Sequence, residues 1–297
     1  MFQKITHEVL PPVFFSHLLS LEINRHDFKK YPPVLIYQFG KVGSSTVRKS
    51  LRQSALPNPI YQVHSLSDAG IQRYEAKRQQ FPQSRYIAEC LAISKSLRHK
   101  LDSLNTDGVP LRIITLTREP IALLISSFFE AQSDRLSSTP GDDNHLVLEE
   151  IMKKIRRQLK RFDESSNRVC TWFDRELNAT FGIDIFAHPF SPEMGYQVIR
   201  QGNIELLLLR LEDLNRCGGQ VLADFLQLDQ PLSLISVNQR DKKEFADLYQ
   251  TLKETIQIPK RICRPIYASR YATHFYSDAE RDAFIDRWSE GLEAVAN

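Results

Sequence analysis

Apolar residues along this chain fall alternately into short unbroken runs and helically spaced sets. Val34-Leu35-Ile36-Tyr37-Gln38-Phe39 follows Pro32-Pro33 and stops at Gly40, a length and composition that predict a buried strand. Ser44, Ser45 and Thr46 are N-cap residue types, and Val47, Leu51 and Ala55 recur at helical spacing, so strand, glycine turn and helix follow in order. Residues 60–63 read as a second short strand that ends at His64. Over 88–104, Leu91, Ile93, Leu97, Leu101 and Leu104 come close to a helical period ahead of a turn at Asp107-Gly108. Leu111-Arg112-Ile113-Ile114-Thr115-Leu116-Thr117 is the next predicted strand, and Pro120 stands where a helix over 121–130 begins.

The second half repeats the pattern. Leu148, Ile151, Ile155, Leu159 and Phe162 form one face of a helix over 146–162, while Lys153, Lys154, Arg156, Arg157, Lys160 and Arg161 give it a basic back, expected to be a solvated face. Residues 204–211 are almost purely apolar, as in a central strand covered on both sides. Helices over 242–255, 260–273 and 278–294 close the chain. Near the N-terminus, the apolar stretch 9–21 is broken by Pro11, Pro12 and His17 and stops at Glu22, so a packing helix is expected there and no integral membrane segment. Strands alternating with helices predict an α/β fold with a mostly parallel central sheet flanked by helices on both faces. One domain over 1–297 is expected, with a helical N-terminal extension to about residue 30 and a helical C-terminal part from about residue 240.

Composition narrows this picture. With 42% hydrophobic residues in 297, the chain can bury a large core. A net charge of +3 is too mild to suggest nucleic acid, yet it suits a small anionic ligand. Cys90, Cys170, Cys217 and Cys263 are dispersed without CxxC spacing, and His188 and His274 lack carboxylate or cysteine neighbours at ligand spacing. No metal and no disulfide framework is expected, and a reducing, cytoplasmic location fits.

Candidate chemistry lies in two places. Gly40-Lys41-Val42-Gly43-Ser44-Ser45-Thr46 joins a buried strand to a helix, where backbone N–H groups and the helix dipole converge on an anion. A Walker A loop places its lysine after the second glycine, whereas Lys41 precedes Gly43, so ATP fits less well. At the end of the next strand stand Arg118-Glu119-Pro120 and, eight residues beyond the arginine, Ser126. Both groups are expected at one crevice, with Arg118 and Ser126 on a second phosphate.

Together these residues resemble the nucleotide motifs of sulfotransferases that use 3′-phosphoadenosine-5′-phosphosulfate (PAPS). The resemblance implies a P-loop NTPase-like sulfotransferase fold, with Lys41, Gly43, Ser44, Ser45 and Thr46 on the 5′-phosphosulfate and Arg118 and Ser126 on the 3′-phosphate. Gln197 to Leu214, with its strand from Ile204 and its Glu212-Asp213-Leu214 turn, also looks like that superfamily. More narrowly, Gly40–Thr46, Trp172-Phe173-Asp174, Phe181-Gly182-Ile183-Asp184-Ile185 and His274-Phe275-Tyr276 resemble bacterial capsular polysaccharide synthesis proteins of sulfotransferase type, although the string Asn-Lys-Trp-Tyr-Ser does not occur. PAPS would then be the co-substrate, 3′-phosphoadenosine-5′-phosphate (PAP) the product and a carbohydrate hydroxyl the acceptor.

Sulfuryl transfer needs a base for the acceptor hydroxyl and a donor for the charge on the leaving phosphate. Lys41 is the expected leaving-group stabiliser. His64, at a strand end near the crevice, is the expected base, and its position resembles the histidine base of carbohydrate 2-O-sulfotransferases; Glu89 and Glu130 are the reserves. Trp172, Phe173, Phe181 and Phe186 are expected mainly in the core. Two other readings stand beside this one: a P-loop-like nucleotide kinase or ATPase, and a nucleotide- or glycan-binding protein without catalysis. Acceptor choice is expected in loop 133–144 and segment 163–202.

Overall fold

The computed structural model describes residues 11–54, 56–106, 108–132, 144–235 and 243–289. Ala55, Asp107, Lys242, nearly all of loop 133–144 and the end of the last expected helix lie outside them.

Five strands form one sheet in the order β2-β1-β3-β5-β4. β1 (Val34–Tyr37), β2 (Ile60–Val63), β3 (Leu111–Thr117) and β5 (Ile204–Arg210) run parallel. β4 (Tyr196–Gln201) is antiparallel to β5. The chain is thus α/β, with a mostly parallel central sheet, as its alternating pattern predicts. β1 is shorter than expected at its carboxyl end, where the Gln38 N–H still donates to Val63 O at 3.3 Å. β4 escaped the sequence reading because it is a half-exposed edge with only Ile199 buried, joined to β5 through Gly202 at φ 58°.

β5 shows why the interior is two-sided. Leu206, Leu207, Leu208 and Leu209 are all fully buried, with the even-numbered pair facing one cluster and the odd-numbered pair another. Each such leucine contributes roughly 1.5–3 kcal/mol of transfer free energy. Against one face pack α1 (Pro12–Arg25), α4 (Arg85–Thr106) and Trp172, Phe173 and Leu177 around the irregular helical turn 173–181. Against the other pack α2 (Ser44–Gln53) and α7 (Gly219–Leu226). α3 (Asp68–Gln80) lies on α4 and the 173–178 turn. The N-terminal helix is a packing helix: Lys100 of α4 donates to Ile23 O and Asn24 O, closing its last turn.

A third cluster joins α5 (Pro120–Ala131) and α6 (Asn144–Lys160) to the C-terminal helices α8 (Lys243–Thr255), α9 (Lys260–Tyr267) and α11 (Asp278–Ser289), around Ile125, Phe129, Ile155, Leu252 and Trp288. The single helix expected over 260–273 is two, because the Ser269 hydroxyl accepts from Ala272 N and opens α10 (Arg270–Phe275). Among the described residues no helix is long and apolar enough to cross a membrane.

Candidate functional site

The strand order places a topological switch point between β1 and β3: the chain leaves β1 toward β2 and leaves β3 toward β5 and α5, in opposite directions. In such sheets a crevice opens at the carboxyl ends of the two strands. Loop 40–46 and Arg118 lie side by side there, and Arg118 Nη1 donates to Lys41 O at 3.0 Å. Residues 77 positions apart therefore meet directly.

The loop is shaped by two left-handed residues, Lys41 at φ 69° and Gly43 at φ 89°. The left-handed backbone favours glycine at Gly43, where a Cβ would also stand 2.5 Å from Leu211 Cδ1 and make that side chain shift. Lys41 has no such licence and holds its conformation at a cost of about 1–2 kcal/mol, pinned by the buried Val42 beside it. Gly43 caps α2 without a side chain, and the first turn carries no acidic residue. Helix N–H groups and dipole therefore face the crevice without a protein carboxylate on them. Above Gly40 a Cβ would meet nothing within 4 Å. Ser44 is buried and its hydroxyl accepts from Gln62 Nε2 at 2.9 Å, leaving Ser45 and Thr46 as the partly exposed hydroxyls. Lys41 Nζ stands 3.0 Å from Glu130 Oε2.

Arg118 carries the second half. Its Nη2 donates to Tyr249 OH at 3.2 Å. Burial pushes the Tyr249 phenol up, but Arg118, Ser126 and Lys253 around it outweigh burial and bring it below the ordinary tyrosine value. Arg118, Ser126, Tyr249 and Lys253 thus gather positive charge and hydroxyl donors at one spot. The guanidinium does not pair with its neighbour Glu119. That carboxylate is buried, accepts from Ile121 N and Ala122 N at 2.7 Å as the cap of α5, and also takes Tyr267 OH and Trp288 Nε1. The buried Tyr271 hydroxyl fixes the Arg118 backbone, accepting from its N at 3.2 Å and donating to its O at 2.9 Å. Tyr249 and Lys253 were not singled out in the sequence, where 242–255 reads only as one of the helices that close the chain.

His64 follows β2 on the other side of β1. Its Nδ1 is 3.0 Å from Gln38 O. A carbonyl accepts only, so the neutral ring carries its proton on Nδ1 and leaves the Nε2 lone pair free. Burial lowers the imidazole below its ordinary 6.5; the Gln38 carbonyl opposes this and Arg48 adds to it. Glu89 of α4 lies within electrostatic reach of the same Arg48, so it belongs to this corner, whereas Glu130 belongs to Lys41. Beneath His64 the Gln38 side chain is fully buried, and neither Oε1 nor Nε2 has a partner. Each unpaired group costs about 1–3 kcal/mol of stability.

Sequence reasoning also missed Glu176. It is fully buried, and its carboxylate accepts from Tyr37 OH at 2.6 Å, Leu66 N at 3.0 Å, Ser67 N at 3.1 Å and Arg73 Nη2 at 2.8 Å, which holds the loop after His64. In the run Phe173-Asp174-Arg175-Glu176-Leu177 nothing in the sequence sets this acid apart from Asp174. Glu176→Ala is expected to destabilise the fold by about 3–5 kcal/mol, because Arg73 and two buried amides lose their acceptor. Urea unfolding measures it, and a loss under about 1 kcal/mol would mean that water replaces the carboxylate.

Most of the basic back of α6 is solvated, with Lys153, Arg157, Lys160 and Arg161 exposed and Lys153 and Lys154 near Glu149 and Glu150 one turn away, whereas Arg156 is half-buried and donates to Gln257 O at 2.8 Å. No curated protein and no solved structure matches the chain. Residues 148–277, less than half of the 297, are similar to the NKWYS family, described as "Putative capsular polysaccharide synthesis protein"; they include Glu176, Tyr249 and Tyr271, while loop 40–46, His64, Arg118 and Ser126 precede them.

Proposed function

We propose that the protein is a PAPS-dependent sulfotransferase of P-loop NTPase-like fold, transferring the sulfuryl group to a carbohydrate hydroxyl and releasing PAP. The observation that carries this reading is the meeting of two anion-gripping groups at one switch point, linked by Arg118 Nη1 on Lys41 O at 3.0 Å. Loop 40–46 takes the 5′-phosphosulfate through Gly40, Val42 and Gly43 backbone, Ser44, Ser45 and Thr46. Arg118, Ser126 and Tyr249 take the 3′-phosphate. The acceptor oxygen attacks sulfur as His64 Nε2 removes its proton; the sulfur–oxygen bond to the 5′-phosphate breaks, and Lys41 Nζ meets the electron pair left on phosphate. A carbohydrate acceptor is supported by the similarity of residues 148–277 to a capsular polysaccharide synthesis family. A kinase reading has less support, since Lys41 precedes Gly43 and the strand-end carboxylate Glu119 is committed to its own helix and to Tyr267.

The test is a thermal-shift titration. PAP at about 100 times its dissociation constant should add about 2.7 kcal/mol of stability. Adenosine 5′-phosphate at the same concentration should add far less, because charge-assisted bonds to the 3′-phosphate contribute about 1.5–3 kcal/mol each. Arg118→Ala should abolish the difference between the two ligands. If ATP with magnesium stabilises best and PAP behaves like 5′-AMP, the kinase reading replaces this one.

A further inference from the structure

Beside His64, on the sheet face opposite α2, four cations from α3 and segment 163–175 come together. Arg73 and Lys77 lie one turn apart on α3, and Arg168 and Arg175 are exposed. Arg168 stands over the Phe39 ring at 5.9 Å, and Lys77 over the Tyr74 ring at 5.6 Å. Arg168 is within electrostatic reach of Arg73 and Arg175, and Lys77 of Arg168 and Arg73. The group adjoins the base through two links. Phe39 follows Gln38, whose carbonyl holds the His64 ring, and Trp172, four residues after Arg168, donates from Nε1 to His64 O at 3.2 Å.

The acids nearby are already used. Glu176 takes Arg73 together with three other donors, Glu75 pairs with Lys95 at 2.5 Å, and Asp174 pairs with Arg270. Among the described residues Lys77, Arg168 and Arg175 have no carboxylate partner. Partial desolvation, with the neighbouring cations adding to it, holds Lys77 and Arg168 below their ordinary values, and at Arg168 Tyr74 and Glu176 oppose this. Four like charges around a single carboxylate, Glu176, are unfavourable to the folded chain alone. Such a group is stabilised by an anion at the rim. On the back of α6, Lys153 and Lys154 each have a glutamate one turn away, and Arg157, Lys160 and Arg161 are exposed.

We propose that the acceptor is an anionic glycan, whose carboxylate or sulfate ester groups are held by Arg73, Lys77, Arg168 and Arg175 while a hydroxyl reaches His64. This rests on the sulfotransferase reading for the hydroxyl's fate, but the anion-binding rim is tested separately from the donor. Calorimetric titrations of the full chain, with and without PAP, compare three probes: octagalacturonate, its fully methyl-esterified neutral counterpart, and a carrageenan octasaccharide bearing sulfate esters. At least one acidic probe is expected to bind about tenfold or more tightly than the neutral one, a difference that shrinks as salt shortens the Debye length. The tighter acidic probe identifies carboxylate or sulfate ester as the recognised group. Arg168→Glu with Arg175→Glu should weaken acidic-probe binding at least about tenfold and leave the PAP thermal shift intact. Lys154→Glu with Arg161→Glu, on α6, should change it less than about twofold.

Equal affinity for acidic and neutral probes, no binding of any probe, or an equal loss from the α6 reversals would overturn the proposal. Acid preference that depends on Arg168 and Arg175 without any PAP response would sustain the rim and remove the donor reading. A full PAP response without acid preference would do the opposite.

Discussion

With His64 replaced by alanine, sulfuryl transfer on the proposed reaction is expected to fall about 10²–10⁴-fold, while PAP binding stays at the parent level. The expectation rests on the ring's geometry: Nδ1 is held by Gln38 O, so the free lone pair is on Nε2. A parallel sign follows for pH. Burial disfavours the imidazolium, so the proton leaves below the ordinary 6.5 and the base stays competent through neutral pH. The rate should be flat from neutrality down to about 6.5 and then fall through the lowered folded value; His64→Ala should erase that acid limb. Stability follows the same direction. The unfolded chain takes up this proton first, so His64 makes the fold less stable as pH drops below about 6.5. If His64→Ala retained its rate and acid limb, the base would move to Glu89, beside Arg48.

Lys41→Ala is expected to lower turnover about 10²–10³-fold and to weaken PAP binding much less, because its ammonium is assigned to charge that develops only as the sulfur–oxygen bond breaks. That ammonium is 3.0 Å from Glu130 Oε2, so on the proposed reaction the leaving phosphate would compete with this carboxylate for it. Lys41→Arg keeps the charge but broadens it over a planar fork, and should recover only part of the loss. Single-turnover rates set against PAP dissociation constants separate the two effects. An equal fall in both quantities would make Lys41 a plain phosphate anchor.

The sheet was legible in the sequence wherever burial was two-sided. Runs such as Val34–Tyr37, Leu111–Thr117 and Ile204–Arg210 have the length and the apolar, in part β-branched, make-up of strands covered on both faces. β4 was not legible, because an edge strand alternates weakly and takes its pairing from β5. The two halves of the crevice could be named from glycine, lysine, hydroxyl and arginine spacing, since those residues act through local backbone shape. Their partners could not. Tyr249, Lys253 and Glu176 owe their positions to helix packing across long stretches of chain, and on their own elements they look like ordinary surface or core residues. The cationic group around Arg168 was hidden for the same reason, being split between α3 and segment 163–175.

The order of the strands has a consequence for how the chain folds. β4 and β5 form a hairpin of adjacent residues, and β1 and β2 are separated by a single helix, so each pair closes over a short stretch of chain. β3 alone bridges them, pairing Val34 with Arg112 on one side and Leu111 with Ile204 on the other. Contacts between distant residues lose more chain entropy before they are rewarded, and they slow folding. The crevice lies along this bridging strand, so its two halves come into register only when the long-range pairing of β1 with β3 closes. A partly assembled chain can own the glycine loop and still lack the arginine that completes it.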